Sequence, residues 1–298
     1  MMRSMRPPLF LVLLALLFLS ISVAAQTDPK STTLYAKDLS SIVSGTTVTH
    51  LDLIRKLLPD LKVDPANPDE AIAHSTIPFK HLSDNAEPTT VEGDIKLDSF
   101  ETRWIKSNGK QVLLLELDLS ASDANQGTNY EGEAVLLGAF STQPQIKLLD
   151  LMDLKTDRFT SFWEKPAILH LNADNDAFLV YSTHSNAGES YEDLSVLFIH
   201  NSKFNVLGGI FLFNTLGCGA TFTETPSFRA LPATGRKYPD VSITVQVKKD
   251  ADGPECDRRT PGYTRVYHGL YQWNAAKNEY HTVSRQLDAL DKFNQKRL

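Results

Sequence analysis

From about Ile95 onward, apolar and β-branched residues recur mostly at every second position, the period of a strand with one buried face. Such runs occupy 95–106, 111–120, 133–140, 145–152, 167–171, 177–183, 194–200, 204–213, 241–248, 264–273 and 279–284. Short turn signals separate several of them: Ser107-Asn108-Gly109-Lys110, Asn201-Ser202-Lys203, and Asn-Ala-Ala-Lys-Asn at 274–278. Ahead of these runs the period lengthens. Val48, Leu51, Ile54, Leu57 and Leu58 stand at helical spacing, with Thr47 or Thr49 as N-cap and Pro59 as the stop. A second short helix is expected near Pro68, where Asp69 and Glu70 favour a first turn. Residues 26–46 are polar, rich in Ser and Thr, and expected to be mobile, whereas 288–297 reads as a final amphipathic helix. The fold class expected is all-β: an antiparallel β-sandwich or propeller-like repeated β-units, with a small helical N-terminal segment and a short C-terminal helix.

Two stretches of the β region match each other. NQGTNYEGEAVL at 125–136 and NAGESYEDLSVL at 186–197 share Asn125/Asn186, Gly127/Gly188, Tyr130/Tyr191, Glu131/Glu192, Val135/Val196 and Leu136/Leu197. Each copy lies between an apolar strand and a strand–turn–strand unit, which gives an internal repeat near 111–152 and 172–213.

The first residues carry a different message. Arg3 and Arg6 precede an apolar run over 9–23, and Val23-Ala24-Ala25 supplies the small residues of a cleavage site before Gln26. That layout is a secretory signal peptide, and its run is shorter than the roughly 20 residues of a spanning helix. The expected organisation is a signal peptide at 1–25, a polar linker and helical N-terminal segment at 26–90, and a β domain at 91–298. The product is exported, periplasmic or extracellular, with no stable membrane span once the leader is cleaved.

Composition then narrows the function. A chain of 298 residues, 42% hydrophobic and 22% charged, is long enough for one large or two small domains. Its formal net charge is −6; the leader removes Arg3 and Arg6, so 30 bases become 28 against 36 acids, a net of −8. Nucleic acid is therefore not an expected partner, because such affinity rests on Lys and Arg against phosphates. The negative excess is concentrated. Residues 111–146 hold Glu116, Asp118, Asp123, Glu131 and Glu133, residues 166–202 hold Asp174, Asp176, Glu189, Glu192 and Asp193, and neither segment has a Lys or Arg. Glu116 and Asp118 alternate with Leu115, Leu117 and Leu119, so they are expected to face away from the core. The two thiols, Cys218 and Cys256, are expected to pair as a disulfide in an oxidising compartment.

Carboxylates, Asn oxygens and Gly-containing backbone are the hard ligands that Ca²⁺ takes, which makes Ca²⁺ the one cofactor the loops fit. Metal ligands would be Asp123, Glu131, Glu192 and Asp193; ligand-binding residues would be Asn125, Tyr130, Glu131, Asn186, Tyr191 and Glu192. The leading expectation is an exported, non-enzymatic β domain that binds a polysaccharide, a small molecule or an envelope protein through these loops. The alternative is a secreted hydrolase using His184 with Ser190 and Glu189, in which base, nucleophile and orienting acid converge. Gly188-Glu189-Ser190-Tyr191 lacks the second Gly of a nucleophile elbow, and the His residues form no H-x-H, H-x-x-H or H-E-x-x-H pair. Trp104, Trp163, Tyr271 and Trp273 are expected to be core or cross-strand partners rather than a sugar platform.

Overall fold

The protein is described here by a computed structural model. It covers residues 32–82, 87–121, 134–154, 159–162, 166–185, 189–217, 220–232, 235–253 and 259–297. Two antiparallel sheets, of seven and nine strands, pack as a sandwich, so the all-β expectation holds in its sandwich form and neither sheet closes into a barrel. No helix among the described residues is long and apolar enough to cross a membrane.

The first sheet orders as β1 (Lys62–Val63), β2 (Ala71–Ser75), β4 (Glu92–Ser107), β5 (Lys110–Ala121), β6 (Ala134–Ser141), β7 (Lys147–Asp153) and β3 (Lys80–His81), with only β3 parallel to its neighbour. The second contains β8 (Phe159–Phe162), β9 (Ile168–Asn172), β10 (Asn175–Ser185), β11 (Glu189–His200), β12 (Lys203–Gly217), β13 (Ala220–Ala230), β14 (Val241–Lys249), β15 (Tyr263–Asn274) and β16 (Glu279–Thr282). The two matched segments each form a three-stranded meander, β5–β6–β7 in one sheet and β10–β11–β12 in the other. The turns follow their sequence signals. Asn108 (φ 50) and Gly109 (φ 73) both take the left-handed region between the paired Ser107 and Lys110, as a type I′ turn requires.

Around this body the N-terminal segment differs from its expected form. Helix α1 (His50–Ile54) starts where Thr49 caps it: the Thr49 hydroxyl accepts from Asp52 N–H at 3.1 Å, and the Asp52 carboxylate accepts from Thr49 N–H. No helix follows Pro68. The chain instead turns at 64–70, where Ala66 N–H donates to Asp64 Oδ1 at 2.8 Å, and enters β2. Residues 32–46 are held down rather than mobile, because Leu34 bridges Phe100 and Ala36, Leu39 and Val43 are buried against the sheet. Their apolar positions are few but consecutive in space.

Three clusters make the core. One lies between the N-terminal segment and the first sheet (Leu57, Phe100, Leu115, Leu136). A second fills the space between the sheets (Ile105, Leu114, Leu137, Phe178, Ile199). The third lies inside the curl of the nine-stranded sheet (Phe198, Tyr238, Ile243, Tyr271, Trp273). Tyr271 and Trp273 are thus core residues, and Trp104 is partly buried with its indole N–H donated to Ser44 C=O; Trp163 lies outside the described residues. β13 leaves β12 after Phe222, and helix α2 (Gln286–Asn294) packs beside the edge left open. There Glu224 accepts from Phe213 N–H at 3.1 Å, Asn294 donates to Phe211 C=O at 2.9 Å, and Arg297 donates to Phe213 C=O at 2.9 Å.

Candidate functional site

Both faces of β4 and β5 are covered, and that fact creates the most unusual chemistry in the molecule. Up to Leu97 the β4 residues with odd numbers face the first core cluster. A bulge at Asp98 then shifts the register, so Phe100 takes over that face and Glu101, Arg103 and Ile105 turn toward the other sheet. On β5 the matching positions are Val112, Leu114, Glu116 and Asp118. Glu116 is therefore not on a solvent face, as the alternation with Leu115 and Leu117 implies, but 5% exposed between two sheets.

Glu101 and Glu116 are direct cross-strand partners, which sets two carboxylates side by side with Glu101 7% and Arg103 8% exposed. The Arg103 guanidinium lies 3.7 Å from Glu101 and 4.8 Å from the centre of the Phe162 ring. Among the described residues Glu101 Oε2, Glu116 Oε2 and Arg103 Nε have no hydrogen-bond partner. Burial, and after it the charges of Glu101 and Asp118, push the Glu116 carboxyl well above the usual range, against the pull of Arg103 and the Ser161 hydroxyl. Burial first, then the nearby Asp98 carboxylate, raise Asp118 to about 6. The result is a water-poor seam of like charges in which the neutral form of a carboxyl is favoured.

The seam lies toward one end of the sandwich. At the other end the β4–β5 turn docks on the start of β10: Lys106 N–H donates to Asp176 Oδ2 at 2.7 Å, Asn108 N–H to Asn175 Oδ1 at 2.9 Å and Gly109 N–H to Asp174 C=O at 2.9 Å. β5 and β10 both run away from this contact for comparable lengths. Both finish at the far end, where one leads into 122–133 and the other into 186–188. The strands leading into the two acidic loops therefore both end away from this contact.

Asp123, Asn125, Tyr130, Glu131 and Asn186 themselves lie outside the described residues. Tyr191 pairs with His184 and Phe213, and its ring sits 5.5 Å from that of Phe211. Glu192 pairs with Thr183 and Leu212, and Asp193 with Ser182 and Phe211; as strand neighbours they project to opposite faces. Burial raises the pKa of Glu192, and burial followed by the Asp291 charge raises that of Asp193. Ser190 pairs with Ser185 and with Asn214, whereas His184 pairs with Tyr191 and Glu189 with Thr215, so the register does not make cross-strand partners of His184 and Ser190. Among the described residues no group of three His, Cys, Asp or Glu side chains is arranged to hold a metal ion. Cys218 and Cys256 lie outside the described residues.

Sequence reading missed Glu101 and Arg103 altogether. A signal for them existed in Val112-Leu113-Leu114-Leu115, a continuous apolar run that marks a strand buried on both faces. Comparison with family models, curated proteins and solved structures gives no match to this chain.

Proposed function

We propose that the protein is an exported, non-enzymatic β-sandwich that binds a ligand or partner through the end carrying the β5–β6 and β10–β11 hairpins. The observation that supports this reading is that β5 and β10 start from one shared contact and run away from it over comparable lengths, which takes the flanks of both acidic loops to the side of the carboxylate seam. Carboxylates and Asn oxygens in the two loops are the hard ligands that Ca²⁺ takes, which makes Ca²⁺ the ion proposed for this end. Millimolar Ca²⁺ is expected to raise the melting temperature of the chelator-stripped protein, and Glu131→Gln combined with Glu192→Gln to abolish the rise. Absence of any shift in the parent protein overturns the Ca²⁺ component.

In the same reading Cys218 and Cys256 form a disulfide. The chain on either side of them meets at one end of β13 and β14: Phe222 pairs with Lys249, and Asp250 N–H donates to Thr221 C=O at 3.0 Å. Mass spectrometry of the protein exported to an oxidising compartment is expected to show the linked peptide without reductant; two alkylatable thiols refute the pairing.

A further inference from the structure

A second site lies at the end of the sandwich where the β4–β5 turn docks on β10, away from the carboxylate seam. Three hairpin tips meet there, at 107–110, 141–147 and 200–203, and enclose a cleft of about 720 Å³, within the range of small-molecule sites. Strand register decides which side chains share its wall. Val112 belongs to the inter-sheet cluster, and Lys110, two residues earlier on β5, projects to the same side. Ser141 on β6 pairs with Val112, and Lys147 on β7 pairs with Ser141, so all four stand on one face of the first sheet. Leu149 packs against the same cluster, and Ile199 and Ser202 close the cleft from the β11–β12 hairpin of the other sheet.

The polar groups on this wall differ in what holds them. The Ser107 hydroxyl fastens the two sheets by donating to Ile199 C=O at 3.1 Å, and Ser141 donates to Lys147 C=O over a long 3.4 Å. The Ser202 hydroxyl and the exposed Lys110 and Lys147 ammonium groups have no hydrogen bond or ion pair among the described residues. No described Asp or Glu lines the cleft, in a chain of net charge −6. Asp174 approaches the turn at Gly109 but stays outside it.

These groups have a common complement. Hydroxyls and side-chain amides, such as those of Ser141, Ser202 and Gln143, both donate and accept, which suits a ligand whose own hydroxyls do the same. Leu149 and Pro144 offer aliphatic surface to a ring of C–H groups. An ammonium only donates, and an anionic oxygen is its strongest partner. A cleft left merely where two sheets part would need the Ser107 bond and apolar contact; an unpaired Lys110 over an acid-free lining is what that role leaves unexplained. We propose that this cleft binds a uronic acid residue, with the carbon face of its ring on Leu149 and Pro144, its hydroxyls at Ser141 and Ser202, and its carboxylate on Lys110.

Ligand-observed NMR titration of the full chain with D-glucuronate, D-glucose and acetate tests the assignment. Glucuronate is expected to bind at least about tenfold more tightly than glucose, which lacks the charge, or acetate, which lacks the ring. Lys110→Gln alters an exposed position and is expected to bring glucuronate down to the glucose level. Ser202 has φ 61, where Gly sits without strain, so Ser202→Gly keeps the turn and is expected to weaken glucuronate and glucose alike by several-fold. Lys62→Gln, on β1 at the far edge of the same sheet, removes an equal charge and is expected to leave glucuronate unchanged. Equal binding of glucuronate and acetate, no response to millimolar glucuronate, or equal affinities in Lys110→Gln and Lys62→Gln overturns the proposal.

Discussion

The interface between the two sheets has two ends built from the same strands, and they bury opposite kinds of side chain. Toward the β4–β5 turn, Ile105, Val112 and Leu114 meet Phe178, Leu197 and Ile199 in a fully apolar contact. A few residues along, the same face of β4 and β5 presents Glu101, Arg103, Glu116 and Asp118. The apolar end gains stability from every methylene removed from water. At the polar end desolvation opposes the charges, and a single guanidinium serves two carboxylates that lie side by side. Nothing in the packing requires this, since well-packed apolar residues of similar volume would be at least as stable there. The difference teaches where to look for function: the costly end is the one toward which β5 runs before the acidic segment that follows it.

Removing one residue from each end sharpens the contrast. Arg103→Met takes away the only cation that faces the seam's carboxylates among the described residues and is expected to cost about 3–5 kcal/mol near neutral pH. Because the penalty comes from uncompensated charge, it should shrink in acid, where the Glu116 carboxyl is neutral. Leu114→Ala, at a position with no exposed surface, is expected to cost about 2–5 kcal/mol through lost contacts and a cavity, with little dependence on pH. Urea denaturation of both variants near pH 4 and pH 7 measures the two slopes. A pH-independent loss for Arg103→Met would mean that it acts by packing over Phe162 rather than by charge.

Much of the architecture was legible in the hydrophobic pattern, and its failures share a physical cause. Period-two runs located eleven of the strands, and the Asn-Gly signal located the turn at 108–109 because only positive-φ residues suit it. β13 went unread, since Thr221, Thr223, Glu224, Thr225 and Ser227 leave little apolar signal and Pro226 argues against a strand. Pro226 is tolerated because β12 has already diverged on that side, so no partner needs its missing N–H. The seam was misread for a different reason. Alternation says that Glu116 and Leu115 point to opposite sides, but it does not say that both sides are covered. The bulge at Asp98 compounded this by reversing which β4 residues share a face, and a register shift has no dependable mark in the sequence. The His81–Asp153 pair joins residues 72 positions apart in the chain, so only parallel pairing of β3 and β7 reveals it.

The finest distinction between the two ends concerns Asp118. In the unfolded chain an aspartate loses its proton near pH 4, whereas in the fold Asp118 keeps it up to about 6. Between those values the unfolded state releases its proton first, so stability falls as pH rises and stays lower above about pH 6. A shift of roughly two units corresponds to about 3 kcal/mol, reduced to about 1–3 kcal/mol because the side chain is only partly buried. Asp118→Asn keeps the shape and abolishes this share of the slope. The variant is therefore expected to match the parent near pH 4 and to exceed its stability by that amount at pH 8, while Leu114→Ala retains the parental slope. Glu116, displaced in the same direction, leaves a residual fall in the Asp118→Asn protein. If the parent and Asp118→Asn show the same urea midpoints from pH 4 to pH 8, the carboxyl at 118 is solvated, and the polar end of the interface begins only at Glu116.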